Sequence, residues 1–290
     1  MTKLKLKGVF TAIVTPFNKD YEIDYIALEK LIEFQIENKV SGIVVCGTTG
    51  ETPTLSNDEY KSVIEFVVKK VNKRVLVIAG ASSNSTLKAL ENAKLCKSLG
   101  VDAILVSAPY YNKPTQKGII MHFEKINEIG IPIVIYNVPS RTGVNILADT
   151  TYTLSKLENI VAIKEASGII EQMIDIKLKC KDSISILSGE DHLIMPMSVI
   201  GCDGVISVVS NILPKILSDF YIYDEKKYEI HEFLYEISRS MFIEGNPVTV
   251  KEAMSILDLC ENYVRLPLAN ASENTTNTLK ELFRKKGLIQ

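Results

Sequence analysis

Tryptophan is absent from this 290-residue chain, and histidine occurs only three times, at His122, His192 and His231, with no HExxH or HxH spacing. Isolated imidazoles do not assemble a zinc site, so no metal is expected. Five cysteines, Cys46, Cys96, Cys180, Cys202 and Cys260, are scattered without a CxxC pair. An odd number over so long a chain reads as reduced core thiols rather than a disulfide framework, and Cys46, inside an apolar run, as a small hydrophobe. Basic tracts with interleaved aromatics are missing too, and 33 Lys and Arg against 35 Asp and Glu leave a net charge of −2. That balance gives no broad attraction to nucleic acid or anionic lipid, and neither is expected as a partner. No uncharged apolar run approaches about 20 residues. The N-terminal MTKLKLKGVFTAIVTPF lacks a signal-peptide core with a small-residue cleavage site, so a cytoplasmic protein is expected. A GxGxxG turn after the first strand is also lacking, Thr15-Pro16-Phe17-Asn18 standing in its place. This argues against an open dinucleotide-binding sheet, and no organic cofactor is expected.

What is present is a march of short β-branched runs about 25–30 residues apart, the size of one βα unit. They read Phe10 to Thr15, Gly42 to Cys46, Val75 to Ala79, Ala103 to Ser107, Pro132 to Tyr136, Ile160 to Lys164, Ser185 to Ser188 and Gly204 to Val208. Helical spacing fills the intervals, for example over Asp24 to Asn38, Ser56 to Val71, Ser85 to Leu99 and Thr115 to Ile129. Asp24 and Thr115 suit N-caps, and Ser56 with Glu59 forms a capping-box pattern. Eight such units imply parallel pairing and an α/β fold, a closed (β/α)8 TIM barrel over residues 1–227. The remaining stretch, 228–290, exceeds one barrel helix and predicts a C-terminal helical appendage packed on the barrel.

Lys164 interrupts Asn159-Ile-Val-Ala-Ile-Lys164-Glu165-Ala-Ser-Gly168, a run otherwise apolar enough for a fully buried strand. Two readings follow. A strand-end lysine packs its stem while its head snorkels to water or pairs with Glu165. Alternatively, burial without a fixed counter-charge favours the free amine, which attacks carbonyls to form a Schiff base. Barrel chemistry sits beyond the carboxyl ends of the strands, where reactive residue types accumulate here. Gly47-Thr48-Thr49-Gly50-Glu51 follows strand two and offers backbone N–H groups to an anion, or else is a plain strand-to-helix turn. Tyr136 ends strand five, beside strand six, where its phenol is either a proton donor and acceptor for Lys164 or a satisfied core hydroxyl. Arg141 follows, as a bidentate carboxylate clamp or a surface ion pair.

AIVTPF, GTTGE, PYYNKP, YNVPSRTG, IKEASG, LSGED, GVISVVSN, GNPVTVK and RLPL, in this order and nearly end to end, resemble the pyruvate-dependent class I aldolase family that includes N-acetylneuraminate lyase. The resemblance implies that Lys164 forms the imine with pyruvate, that Thr48 and Thr49 hold the pyruvate carboxylate, and that Tyr136 is the acid and base. It further implies a proton relay of Tyr136, Thr48 and Tyr111, the last reaching in from a neighbouring subunit, hence a homo-oligomer, a tetramer built as a dimer of dimers. Gly189 and Ile206 are implied to line the pocket through backbone groups. Arg141 is implied to receive the carboxylate of the second substrate, L-aspartate 4-semialdehyde, in a condensation that leads toward diaminopimelate and lysine. The arginine sets this pattern apart from the sialic-acid lyases, and the alternative is a lyase for N-acetylneuraminate or another 2-keto-3-deoxy acid. A barrel kept as a silent pyruvate-binding scaffold is a third possibility of a different class. Where feedback-inhibited members hold lysine, the matching positions are Asn57, Tyr60 and Lys88, with Asn84 and Tyr110 unchanged. A cation at Lys88 repels an incoming amine, so weak or absent inhibition is expected.

Overall fold

In the computed structural model, which describes residues 3–290, eight parallel strands close on themselves in chain order. They are β1 (Gly8–Ala12), β2 (Gly42–Val45), β3 (Leu76–Gly80), β4 (Ala103–Ser107), β5 (Ile133–Asn137), β6 (Ile160–Glu165), β7 (Ser185–Ser188) and β8 (Gly204–Ser207). The expected (β/α)8 barrel is what forms. The seam runs from Gly8 opposite Gly204 to Thr11 opposite Ser207. A Cβ on Gly204 would lie 2.2 Å from the Gly8 carbonyl oxygen, so glycine is what lets the two end strands meet.

Each strand is followed by a helix, at Tyr25–Glu37, Asn57–Val71, Thr86–Ser98, Gln116–Asn127, Ala148–Ser155, Ile170–Cys180, Ile194–Val199 and Pro214–Ile222. The anticipated caps are made. Asp24 accepts from the Ile26 and Ala27 N–H groups, Ser56 and Glu59 form the reciprocal capping box, and Thr115 accepts from Gly118. Strands β1 and β8 end earlier than the apolar runs suggest, because the N–H groups that would continue the ladder go elsewhere. Val14 donates to Asn211 Oδ1, and Val208 and Val209 both donate to the buried Asp191 carboxylate.

Two apolar layers result from period-two alternation. Phe10, Val44, Ile78, Leu105, Val134, Leu187 and Ile206 fill the barrel, while Ile43, Val45, Ile104, Ile135 and Ile163 face the helices. Strand β6 carries an irregularity that decides where its lysine goes. Ile133 pairs with Ile160 but Val134 pairs with Ala162, leaving Val161 as an extra residue. Ile160 faces the helices, while Val161 and Ala162 both belong to the interior. Unbroken alternation from Ile160 would turn Lys164 toward the helices; the extra residue reverses the phase and turns it inward.

Three further helices, Lys227–Ser240, Val248–Ile256 and Glu273–Lys285, complete the chain. Their apolar residues Leu234, Ile237, Val250, Met254, Leu279 and Phe283 join the same cluster as the barrel's outer layer.

Candidate active site

Lys164 is 6% exposed and lies opposite Tyr136 in the β5–β6 register, with Nζ 4.4 Å from the centre of the phenol ring. The alternative pairing with Glu165 is not made. Adjacent residues of a strand face opposite sides, and Glu165 points outward, where Asn137 Nδ2 donates to both of its oxygens and the Ser167 N–H and Gln172 Nε2 complete its shell. Burial raises the proton affinity of Glu165, opposed by those hydrogen bonds. No carboxylate comes within ion-pair distance of Lys164 Nζ among the described residues, so the amine is buried, unpaired and facing the barrel mouth.

The mouth opens into a cavity of about 440 Å3 whose lining includes Thr48, Thr49, Tyr136, Arg141, Lys164 and Gly189. After β2 the chain turns tightly, the Gly50 N–H donating to Gly47 O and the Glu51 N–H to Thr48 O. The Thr48 and Thr49 N–H groups find no acceptor among the described residues, which leaves two donors at the mouth for an anion. The turn is followed by a single helical turn at Thr52–Thr54 before the helix proper begins at Asn57. Arg141 sits in a short helical turn, Pro139–Thr142. Its Nη2 donates to Asn246 O at 3.2 Å and it makes no ion pair among the described residues, so the guanidinium keeps donors to spare. Gly189 passes over the lysine stem. A Cβ there would lie 2.5 Å from Ala166 Cβ and 3.1 Å from Lys164 Cε, so even alanine would crowd the amine.

Two expected residues lie apart from this group. Ile206 is fully buried inside the barrel and does not line the cavity, whereas Val208, two residues on, does. Tyr111 is 87% exposed with φ 74°, a large aromatic held out into solvent in left-handed backbone. The residues matched to a lysine effector site, Asn57, Tyr60 and Lys88, line a second groove together with Tyr110 and Glu91. Tyr60 is buried there with its hydroxyl 2.7 Å from Gly80 O.

Several cavity residues escaped the sequence reading. Asn246 donates from Nδ2 to Thr49 Oγ1 at 3.0 Å, accepts from Arg141 at its carbonyl, and has an Oδ1 without a partner. Arg239 comes from the Lys227–Ser240 helix and Phe242 from the turn after it, and Glu190 and His192 from the β7 loop. The signal for Asn246 lay in GNPVTVK, noted for resemblance without a role, whereas Glu190 stands in the Ser188-Gly189-Glu190-Asp191 cluster after strand seven, which was expected at the mouth but given no chemical task. Among the described residues no three His, Cys, Asp or Glu side chains gather to hold a metal, and no helix is long and apolar enough to cross a membrane.

A closed (β/α)8 barrel with a lone buried amine at its mouth, a phenol on the adjacent strand and free anion donors opposite belongs to the class of carbon–carbon lyases and synthases that work through a lysine imine. More narrowly, the chain belongs to the Dihydrodipicolinate synthetase family, whose model matches residues 5–286. A protein named 4-hydroxy-tetrahydrodipicolinate synthase from Syntrophus aciditrophicus is 47% identical over 289 residues, covering 98% of this chain and 99% of that one. The solved dihydrodipicolinate synthase of Thermotoga maritima superposes with a TM-score of 0.96 at 40% identity, covering 99% of this chain and all of the other. That of Acinetobacter baumannii, solved in complex with pyruvate, gives 0.95 at 37% identity over 98% of this chain and 99% of its own.

Proposed function

We propose that this chain condenses pyruvate with L-aspartate 4-semialdehyde to give 4-hydroxy-tetrahydrodipicolinate, with Lys164 as the imine-forming residue. The observation that carries the reading is the facing pair of Tyr136 and Lys164, the amine lying over the phenol with no counter-ion to hold it. Lys164 attacks the keto carbon of pyruvate while the Thr48 and Thr49 N–H groups hold the carboxylate. Tyr136 moves protons to and from the carbinolamine oxygen and the methyl group. The protonated imine acts as the electron sink, and the resulting enamine carbon adds to the aldehyde, whose carboxylate is taken by Arg141 in two parallel hydrogen bonds. The substrate nitrogen then displaces Lys164 and closes the ring. Cytoplasmic residence belongs to the same reading.

The exposure and left-handed backbone of Tyr111 support a homo-oligomer, a dimer of dimers, in which the phenol completes the relay of a neighbouring copy. Residues 1–227 serve as the catalytic barrel and 228–290 as an appendage that lends Arg239, Phe242 and Asn246 to the cavity.

A coupled assay with pyruvate and either aspartate semialdehyde or N-acetylmannosamine tests the reading, turnover being expected with the first alone. Arg141→Ala is expected to cost about 1.5–3 kcal/mol in kcat/KM for the aldehyde, the range for hydrogen bonds to a charged group, while borohydride still traps pyruvate. Turnover of the amino sugar, or loss of trapping in Arg141→Ala, would overturn the assignment. For the effector groove, inhibition of the purified protein by lysine is expected to be weak or absent at millimolar concentration. Lys88 places a cation where an ammonium would bind, and the Tyr60 hydroxyl is committed to Gly80 O. Strong inhibition at that concentration would refute this.

A further inference from the structure

Arg141, Lys164, Glu190, His192 and Arg239 are the ionisable side chains that line the cavity with Tyr136, and Glu190 is the one carboxylate among them. Its backbone is pinned by a small turn, the Glu190 N–H donating to Ser188 Oγ at 3.1 Å and that hydroxyl donating to Glu190 O at 2.9 Å. The carboxylate accepts no hydrogen bond among the described residues. Its one partner within ion-pair distance there is His192, whose Nδ1 is 3.7 Å from Oε2, and burial lowers the proton affinity of that imidazole. The neighbouring Asp191 is different, spent on the Val208 and Val209 N–H groups. A half-buried carboxylate with unspent lone pairs contributes nothing to the fold that a glutamine or leucine would not contribute with less desolvation.

An amino-acid aldehyde brings both charges into this cavity. Arg141 and Arg239 answer its carboxylate, and Glu190 alone can answer its ammonium. Resting on the condensation proposed above, we propose that Glu190 receives the α-ammonium of the aldehyde substrate and takes the proton that must leave before that nitrogen can displace Lys164. The carboxylate becomes a carboxylic acid and the ammonium a neutral amine, one proton moving between them. The amine lone pair forms a bond to the imine carbon, and the C=N π pair returns to the Lys164 nitrogen. A proton then passes from the substrate nitrogen to the Lys164 nitrogen. Because the imine attacked is the protonated one, the bond from carbon to Lys164 breaks as the substrate nitrogen's lone pair forms the ring C=NH+, Lys164 departs as a free amine, and the last proton on the ring nitrogen is released to water.

The charged surroundings suit such a base. Burial raises the Glu190 carboxyl first, the negative neighbours Asp191 and Glu165 add to it, and Lys164 opposes them, the balance lying at about 7. His192 in the same loop and Arg239 from the Lys227–Ser240 helix complete the ionisable groups around it. The base form therefore prevails above neutrality and is lost below it.

The test compares aspartate semialdehyde with 4-oxobutanoate, the same aldehyde acid without the amine, using the purified full-length protein and saturating pyruvate. In Glu190→Gln, borohydride trapping of pyruvate is expected to persist, and the first-turnover rate of carbon–carbon bond formation with 4-oxobutanoate to stay within a few-fold of wild type. Steady-state turnover of aspartate semialdehyde is expected to fall by at least about 100-fold, the scale of a lost general base. The fall in wild-type kcat/KM below pH 7 is expected to vanish with it, and Glu190→Asp to recover part of the rate. Equal loss with both aldehydes, or undiminished use of the amino aldehyde, would overturn the role of Glu190. Failure of the underlying condensation would show instead in the wild type, as trapping of pyruvate without consumption of aspartate semialdehyde.

Discussion

Lys164→Ala is expected to abolish covalent capture of pyruvate and to lower condensation by on the order of 10^5 to 10^6, the scale seen when a covalent catalyst is removed. The size follows from the chemistry. Without an imine, the methyl protons of pyruvate must be removed into an enolate, which lacks the covalently attached cation that the protonated imine supplies. The barrel should fold regardless, because the lysine makes no ion pair among the described residues and its stem passes Gly189, which has no side chain to lose packing with it. Circular dichroism melting of the variant within a few degrees of wild type would establish this. Intact-mass analysis after borohydride and pyruvate, followed by peptide mapping, gives the decisive readout. One adduct on the peptide carrying Lys164 is expected in the wild type and none in the variant. An adduct on another lysine, or one that survives the substitution, would move the chemistry elsewhere.

The barrel could be read from the chain because its evidence is local. Each apolar run, each Asp24- or Ser56-type cap and each polar cluster after a strand speaks of its own few residues, and eight repetitions of one unit leave little choice of architecture. Lys164 and Tyr136 were legible for the same reason, as reactive residues at adjacent strand ends. The inward aim of Lys164 was not. It depends on the extra residue at Val161, a register slip that no alternation of side chains announces. Asn246, Arg239 and Phe242 were illegible in another sense. They arrive at the cavity from helices and loops roughly 100 residues distant in sequence from Arg141, and only tertiary packing brings the Asn246 carbonyl to Arg141 and its amide to Thr49. Glu190 was visible as a letter in a strand-end cluster, but its lack of hydrogen-bond partners, which gives it chemical meaning, exists only in three dimensions.

The second large effect lies beneath the site. Lys251 and Glu51 form an ion pair with side chains 0% and 1% exposed, in which Glu51 also accepts from the Arg265 N–H and Lys251 donates to Tyr263 O. Lys251 stands over the Phe17 ring at 4.2 Å, and Arg265 at 4.4 Å. Burial lowers the proton affinity of Lys251 and Glu51 opposes it, so each charge is tolerated only because of the other. Lys251→Met is therefore expected to lower the free energy of unfolding by about 3–5 kcal/mol, since it strands the Glu51 carboxylate in the interior. Glu51→Gln together with Lys251→Met should regain most of that loss, because neither charge then remains to be compensated. Urea unfolding at one fixed protein concentration measures both, the fixed concentration keeping the mass-action contribution of subunit association the same throughout. The pair also has a functional consequence. Glu51 ends the Gly47–Glu51 turn in left-handed backbone, φ 52°, and its N–H donates to Thr48 O. Loosening it should disturb the Thr48 and Thr49 N–H groups, raising KM for pyruvate in the single variant more than in the double. A single variant within about 1 kcal/mol of wild type would mean that the stranded carboxylate has found water or a proton, and that the pair does not hold the turn.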